Sequence, residues 1–217
     1  MAIGVLITGS HPRSRRTAIW LLAALVLATL TGAPRAEAAS KTTATTTQVY
    51  FIRGFMGVFS TGFDTMAKTL AKSGVTAKVY GHLSGAAIRS AIVEENAGSK
   101  RNKPVILVGH SFGGNAALQV AAGLRRDNIP VALVVTVDPT RGGPLSTNVG
   151  RYVNFFFSGN GLGSRLKSAP GVPQSRITNI DMGERDEVAG AGDDHWTVTH
   201  NAAIQSEILK LVKRAAR

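Results

Sequence analysis

Residues 104–124 read PVILVGHSFGGNAALQVAAGL. A β-branched apolar run gives way, at a serine bracketed by Gly109 and Gly113, to an alanine-rich stretch that is apolar nearly all round. The run has the pattern of a strand buried on both faces, and the alanine-rich stretch that of a helix packed against a sheet. A sharp strand-to-helix turn with small residues at both flanks leaves the serine hydroxyl uncrowded at the sheet edge. It also sets the hydroxyl above a helix N-terminus, where negative charge is favoured. Ser111 is therefore the candidate nucleophile. The competing reading of the same residue is a serine that caps the helix.

Outward from this turn, apolar runs alternate with helix-period segments from Gln48 onward. That alternation predicts an α/β three-layer sandwich with a mainly parallel sheet of about six strands. The strands are QVYFIR, VTAKVY, PVILVG, VALVVTV, RYVNFFF and RITNI. Phe63, Met66, Ala67 and Leu70 mark one helix, Ile88, Ala91 and Ile92 another, and Ile204, Ile208, Leu211 and Val212 the last. Only about ten residues separate Val137 from Val149, few for a parallel crossover, so the direction of the fifth strand stays open.

A serine hydroxyl needs a base to take its proton, and the base needs a third group to hold its tautomer. Asp138 ends the strand after the turn, which sets it on the same sheet edge as Ser111 if the strands are parallel; Asp181, after the sixth strand, is its rival. His195, in GAGDDHWTVTH, follows a glycine-rich loop and precedes the last helix, completing the order Ser, Asp, His. His200 is the alternative base, read otherwise as a surface or capping residue in the first turns of the last helix. His110 reads as a packing or supporting residue and His82 as structural, while Trp196 is either core or a wall of the site. Oxyanion donors in such turns come from the N–H after the serine, here Phe112, and from a loop after an early strand. IRGFMG is that loop, with Phe55 as the second donor and Gly54 allowing close approach; a plain glycine-marked turn is the competing reading.

Composition narrows the classes further. The chain has 217 residues, no cysteine and 18% charged residues, which excludes disulfides and thiolate metal or Fe–S sites. No dinucleotide loop, phosphate loop or paired-histidine zinc helix is present in a suitable context, so no cofactor and no metal are expected. His11, Arg13, Arg15 and Arg16 precede an apolar run from Ala18 to Leu30, and Ala36 and Ala38 follow at small-residue cleavage positions. Residues 1–38 are thus expected to be a signal peptide, 39–47 a flexible tether, and 48–217 the folded domain, exported to the periplasm or beyond. The run is shorter than the ~20 residues that span a bilayer, which disfavours an uncleaved anchor. Arg15 and Arg16 also fit a twin-arginine signal, and the route is left open. Cleavage after residue 38 leaves 21 basic and 12 acidic side chains. Those charges are scattered and aromatics scarce, so the expectation is a solvated basic surface that contacts anionic envelope polymers or headgroups at its periphery, and no nucleic-acid partner. Oligomeric state is not read.

The motifs GHSFGG at the turn, VDPT with Asp138, DHW with His195 and RGF at the early loop resemble the α/β-hydrolase family, its small esterases, lipases and thioesterases above all. The resemblance covers about residues 48–215. It implies a serine hydrolase cleaving a carboxylic ester or thioester, acting on a small-molecule or lipid ester. A non-catalytic ligand-binding protein of the same fold and an acyltransferase are the alternatives. Arg53 stands where family members often carry histidine, and the family's first two strands and any large lid are missing. Without a lid the site is expected to be open, with Arg53 near its mouth.

Overall fold

Six strands pair side by side in the order β2-β1-β3-β4-β5-β6, every neighbouring pair parallel. They are β1 (Gln48–Ile52), β2 (Ala77–Tyr80), β3 (Val105–His110), β4 (Val131–Val137), β5 (Tyr152–Phe156) and β6 (Ile177–Asp181). The computed structural model describes residues 47–98, 103–159 and 162–217. The expected signal peptide and all but the last residue of the expected tether lie outside the described residues.

Helices cover both faces, so the predicted α/β three-layer arrangement holds. On one face α2 (Gly85–Asn96) and α3 (Phe112–Leu124) bring Ile88, Ile92, Leu118 and Ala121 against Tyr50, Ile52, Leu107 and Val134. On the other, α1 (Gly62–Ala71) and α5 (Ala202–Ala215) pack Phe63, Met66, Leu70, Ile204, Ile208 and Val212 against Phe51, Ile106, Val108 and Phe155. Adjacent strand residues alternate between the two cores, as a pleated sheet requires. Because both faces are buried, the strands read as continuous apolar runs rather than alternating ones. A four-residue helix, α4 (Asp186–Ala189), sits in the loop before α5.

The fifth strand is parallel to the fourth. No helix makes that crossover. Residues 138–151 return over the α2/α3 face as an extended strap, with Leu145 and Val149 added to its core. An extended chain advances about 3.3 Å per residue against 1.5 Å in a helix, so these few residues suffice.

The chain runs from β1 outward to β2 and returns to β3 on the far side of β1. The connections after β1 and β3 therefore diverge, and they leave a crevice at the carboxyl edge of the sheet.

Candidate active site

Ser111 stands at that crevice, between β3 and α3, with φ 56° and ψ −125°. Such a conformation is costly for a residue with a side chain and persists only where the surroundings impose it. Here they do. A Cβ on Gly109 would lie 2.2 Å from the Gly113 oxygen, and one on Gly113 would lie 2.1 Å from the Ile52 oxygen. Only glycine at both positions lets α3 start directly against β3 and β1. The Ser111 side chain makes no capping bond to the helix, which sets the capping reading aside; its Oγ lies 3.0 Å from His195 Nε2.

His195 Nδ1 is 2.6 Å from Asp138 Oδ2. A carboxylate accepts, so Nδ1 carries the proton, and bare Nε2 receives the Ser111 hydroxyl. Asp138 is fully buried at the end of β4, and its Oδ1 accepts the Phe157 N–H at 2.9 Å. The loop after β5 crosses directly behind this carboxylate, where a Cβ on Gly163 would lie 1.7 Å from Oδ1. Asp181 does not take part: its carboxylate accepts the N–H groups of Gly183 and Ser158 beside its own strand end.

Several short bonds fix the loop that carries His195. Asp194 Oδ1 accepts the N–H groups of Trp196 and Thr197, a turn that aspartate favours. Asn201 caps α5 through the N–H groups of Ala203 and Ile204, while its own amide reaches Asp193 and the Glu187 carbonyl. Because Asn201 is the cap, His200 lies before the helix rather than in its first turns. Its Nε2 meets Thr61 Oγ1 at 2.8 Å.

The early loop packs closely on the turn. A Cβ on Gly54 would come within 3.1 Å of Ser111 Cβ. Phe55 follows it, and Phe112 opens α3, so the two expected oxyanion residues flank Ser111. Their rings approach to 6.3 Å, and His82 completes the group at 6.0 Å from Phe55 and 5.8 Å from Phe112. On the other side Trp196 stands edge-on to His195 at 4.9 Å and to Phe59 at 4.7 Å. Trp196 is thus a wall of the site. Ser111 and His195 are each 3% exposed, while the aromatic rings beside them, Phe55, Phe112 and Trp196, stand exposed.

The Arg53 guanidinium, directly before Gly54, is paired with Asp64 of α1. Sequence reasoning misses Ser60 altogether. This buried hydroxyl joins the Gly54 N–H to His110, and nothing in its local sequence marks it.

Residues 54–209 match the family described as the Alpha/beta hydrolase family. The chain belongs to the alpha/beta hydrolase family. It is therefore a member of a family of hydrolases. No curated protein matches it. Among solved structures, a protein assigned to the alpha/beta hydrolase superfamily from Xanthomonas campestris pv. campestris is 19% identical, over 77% of this chain and 99% of its own, with a TM-score of 0.43. An acetylxylan esterase is 16% identical over 79% of this chain and 99% of its own, with a TM-score of 0.46. A protein from Pectobacterium atrosepticum assigned as a YdeN-like hydrolase is 21% identical over 77% of this chain and 95% of its own, with a TM-score of 0.41.

Proposed function

We propose that the protein is a serine hydrolase that cleaves a carboxylic ester through an acyl-enzyme. The reading is carried by the unbroken line of hydrogen bonds from Asp138 through His195 to Ser111, 2.6 and 3.0 Å long, ending on a serine held at positive φ. Ser111 Oγ attacks the ester carbon while His195 Nε2 takes its proton, and Asp138 stabilises the imidazolium that forms. The N–H groups of Phe112 and Phe55 hold the oxyanion; each such donor is worth about 10²–10³ in rate in comparable sites. His195 then gives its proton to the leaving alcohol. Water, activated by the same imidazole, attacks the acyl carbon and frees Ser111.

The aromatic walls favour an ester with an apolar acyl or alcohol group. The leader-like features of residues 1–38 favour an exported enzyme and, with it, an oxyester over an acyl-carrier thioester. N-terminal sequencing of exported material should begin near Ala39; a start at Met1 sinks that part.

Incubation with a fluorophosphonate followed by peptide mass spectrometry tests the chemistry. A covalent adduct on Ser111 is expected, together with hydrolysis of a nitrophenyl ester series. Folded protein that takes no adduct would instead be a non-catalytic binder of the same fold.

A further inference from the structure

His110 lies inside the turn motif, yet the proton path proposed above does not use it. Its ring is 1% exposed and both nitrogens are engaged. Nε2 lies 2.8 Å from the backbone oxygen of His195, and Nδ1 lies 2.8 Å from Ser60 Oγ. A carbonyl oxygen only accepts, so Nε2 carries the ring proton. Nδ1 is then a bare acceptor, and the Ser60 hydroxyl donates to it. That hydroxyl oxygen in turn accepts the Gly54 N–H at 2.9 Å. In a neutral imidazole every proton of this chain has one place. Burial, and secondarily the neighbouring His195, push the His110 pKa down to about 4, so the ring is neutral near pH 7.

The two ends of the chain are the backbones that matter to Ser111. One is Gly54, directly before Phe55; the other is the backbone of His195 itself. Farther out, Thr199 Oγ1 donates to the Phe59 carbonyl at 2.9 Å and Thr61 meets His200, joining the same two loops at the rim. Of these ties only His110 reaches the residue whose imidazole faces the serine.

We propose that His110 is a positioning residue that clasps the Gly54 turn and the His195 backbone together, so that the base and the oxyanion donor meet Ser111 as one rigid unit. The inference rests on the serine-hydrolase reading. It assigns separate work to the two nitrogens. Nε2 sets the height of the base loop, and Nδ1, through Ser60, sets the early loop.

Two near-isosteric variants separate these roles. Asparagine reaches about as far as Nδ1, so His110→Asn keeps an acceptor for Ser60 and loses His195. Glutamine reaches about as far as Nε2, so His110→Gln keeps a donor for His195 and leaves Ser60 without its acceptor. Each should lower kcat on a nitrophenyl ester by about 10- to 100-fold, the cost of a misplacement near 1 Å, with KM within about twofold. His110→Asn should also shift the midpoint of the pH–rate profile, since the titratable groups that act electrostatically on His110 are His195, Asp138 and His200. Ser60→Ala should match His110→Gln, and the double variant should cost no more than either alone. His200→Ala, which loosens only the outer tie, should leave kcat near wild type.

Nitrogen NMR of the wild type should find the Nε2–H tautomer at His110, and an Nδ1–H tautomer overturns the proposal. So do additive losses for Ser60→Ala and His110→Gln, or wild-type kcat in both His110 variants. Melting temperatures are read alongside: a fall in kcat that simply follows loss of folded protein also overturns it. Wild-type protein that takes no fluorophosphonate adduct fails at the serine-hydrolase reading instead, whereas a labelled wild type with unaffected variants fails at His110 alone.

Discussion

The two edges of one sheet are built on opposite terms. At the amino edge polar groups satisfy one another: Gln48 Nε2 donates to Glu95 Oε2 at 2.7 Å, Lys78 pairs with the same carboxylate at 2.5 Å, and Asn96 bonds Gln48. At the carboxyl edge large apolar side chains stand in solvent. Phe55, Met56, Val58, Phe59, Leu83, Phe112, Leu162 and Trp196 are the exposed large hydrophobics among the described residues, and all eight lie in segments that follow a strand's carboxyl end. Folding does not require this, because the strands and the two cores are common to both edges. Three of the eight flank the site, Phe55 and Phe112 with rings 6.3 Å apart beside Ser111 and Trp196 with its ring 4.9 Å from that of His195.

Substitutions at the crevice should have the largest effects and leave the fold intact. Ser111→Ala and His195→Ala should each remove most ester hydrolysis, and Asp138→Asn should cost up to ~10⁴ in kcat through the wrong tautomer. Circular dichroism should stay unchanged. Activity retained in His195→Ala but lost in His200→Ala would hand the base role to the wrong edge of its loop.

A pH effect of the next size concerns the buried imidazole behind that edge. The His110 pKa falls from 6.5 to about 4 on folding. Above pH 6.5 both folded and unfolded chains leave it neutral, and its stability is intact. As pH falls from about 6.5 to 4 the unfolded chain takes a proton that the folded one refuses, so about 3 kcal/mol is lost. Urea midpoints measured across that window should fall in the wild type, and His110→Asn should flatten part of the slope.

The aromatic walls come third. Phe55→Ser with Phe59→Ser should weaken kcat/KM for long acyl chains by about 10- to 200-fold relative to acetyl esters, the usual worth of apolar pocket contacts. An unchanged chain-length preference would break the link between the exposed rim and substrate. At the amino edge the smallest effect is expected. Lys78→Ala removes a half-exposed ion pair and should alter stability by no more than about 1 kcal/mol, with no change in turnover.

What is legible in the sequence follows the same division. The approach of Ser111, Asp138 and His195 is readable because each follows a strand end, and parallel strands send all their carboxyl ends to one edge. Strand identity is readable because burial on both faces writes itself as apolar runs. Contacts between loops carry no such signature. Nothing around Arg53 announces Asp64, eleven residues on, and nothing around Ser60 announces His110, fifty residues on. The direction of β5 hides for another reason: its crossover is extended, and an extended strap has no period to detect. His200 is displaced from the last helix by Asn201, whose capping role a closer look at NAAIQSE would reveal.

The strap of residues 138–151 begins at the carboxylate that holds His195. With no helical ladder of its own, it is clasped by its neighbours: the Asn115 side chain takes the Arg141 N–H, and Pro139 and Gly142 receive the N–H groups of Ser164 and Lys167 from the loop behind. Such a segment exchanges its amide protons by local opening, ahead of the strands it joins. Warming should therefore silence the protein before it melts it, and activity loss recorded beside a circular-dichroism melt would show the two parting.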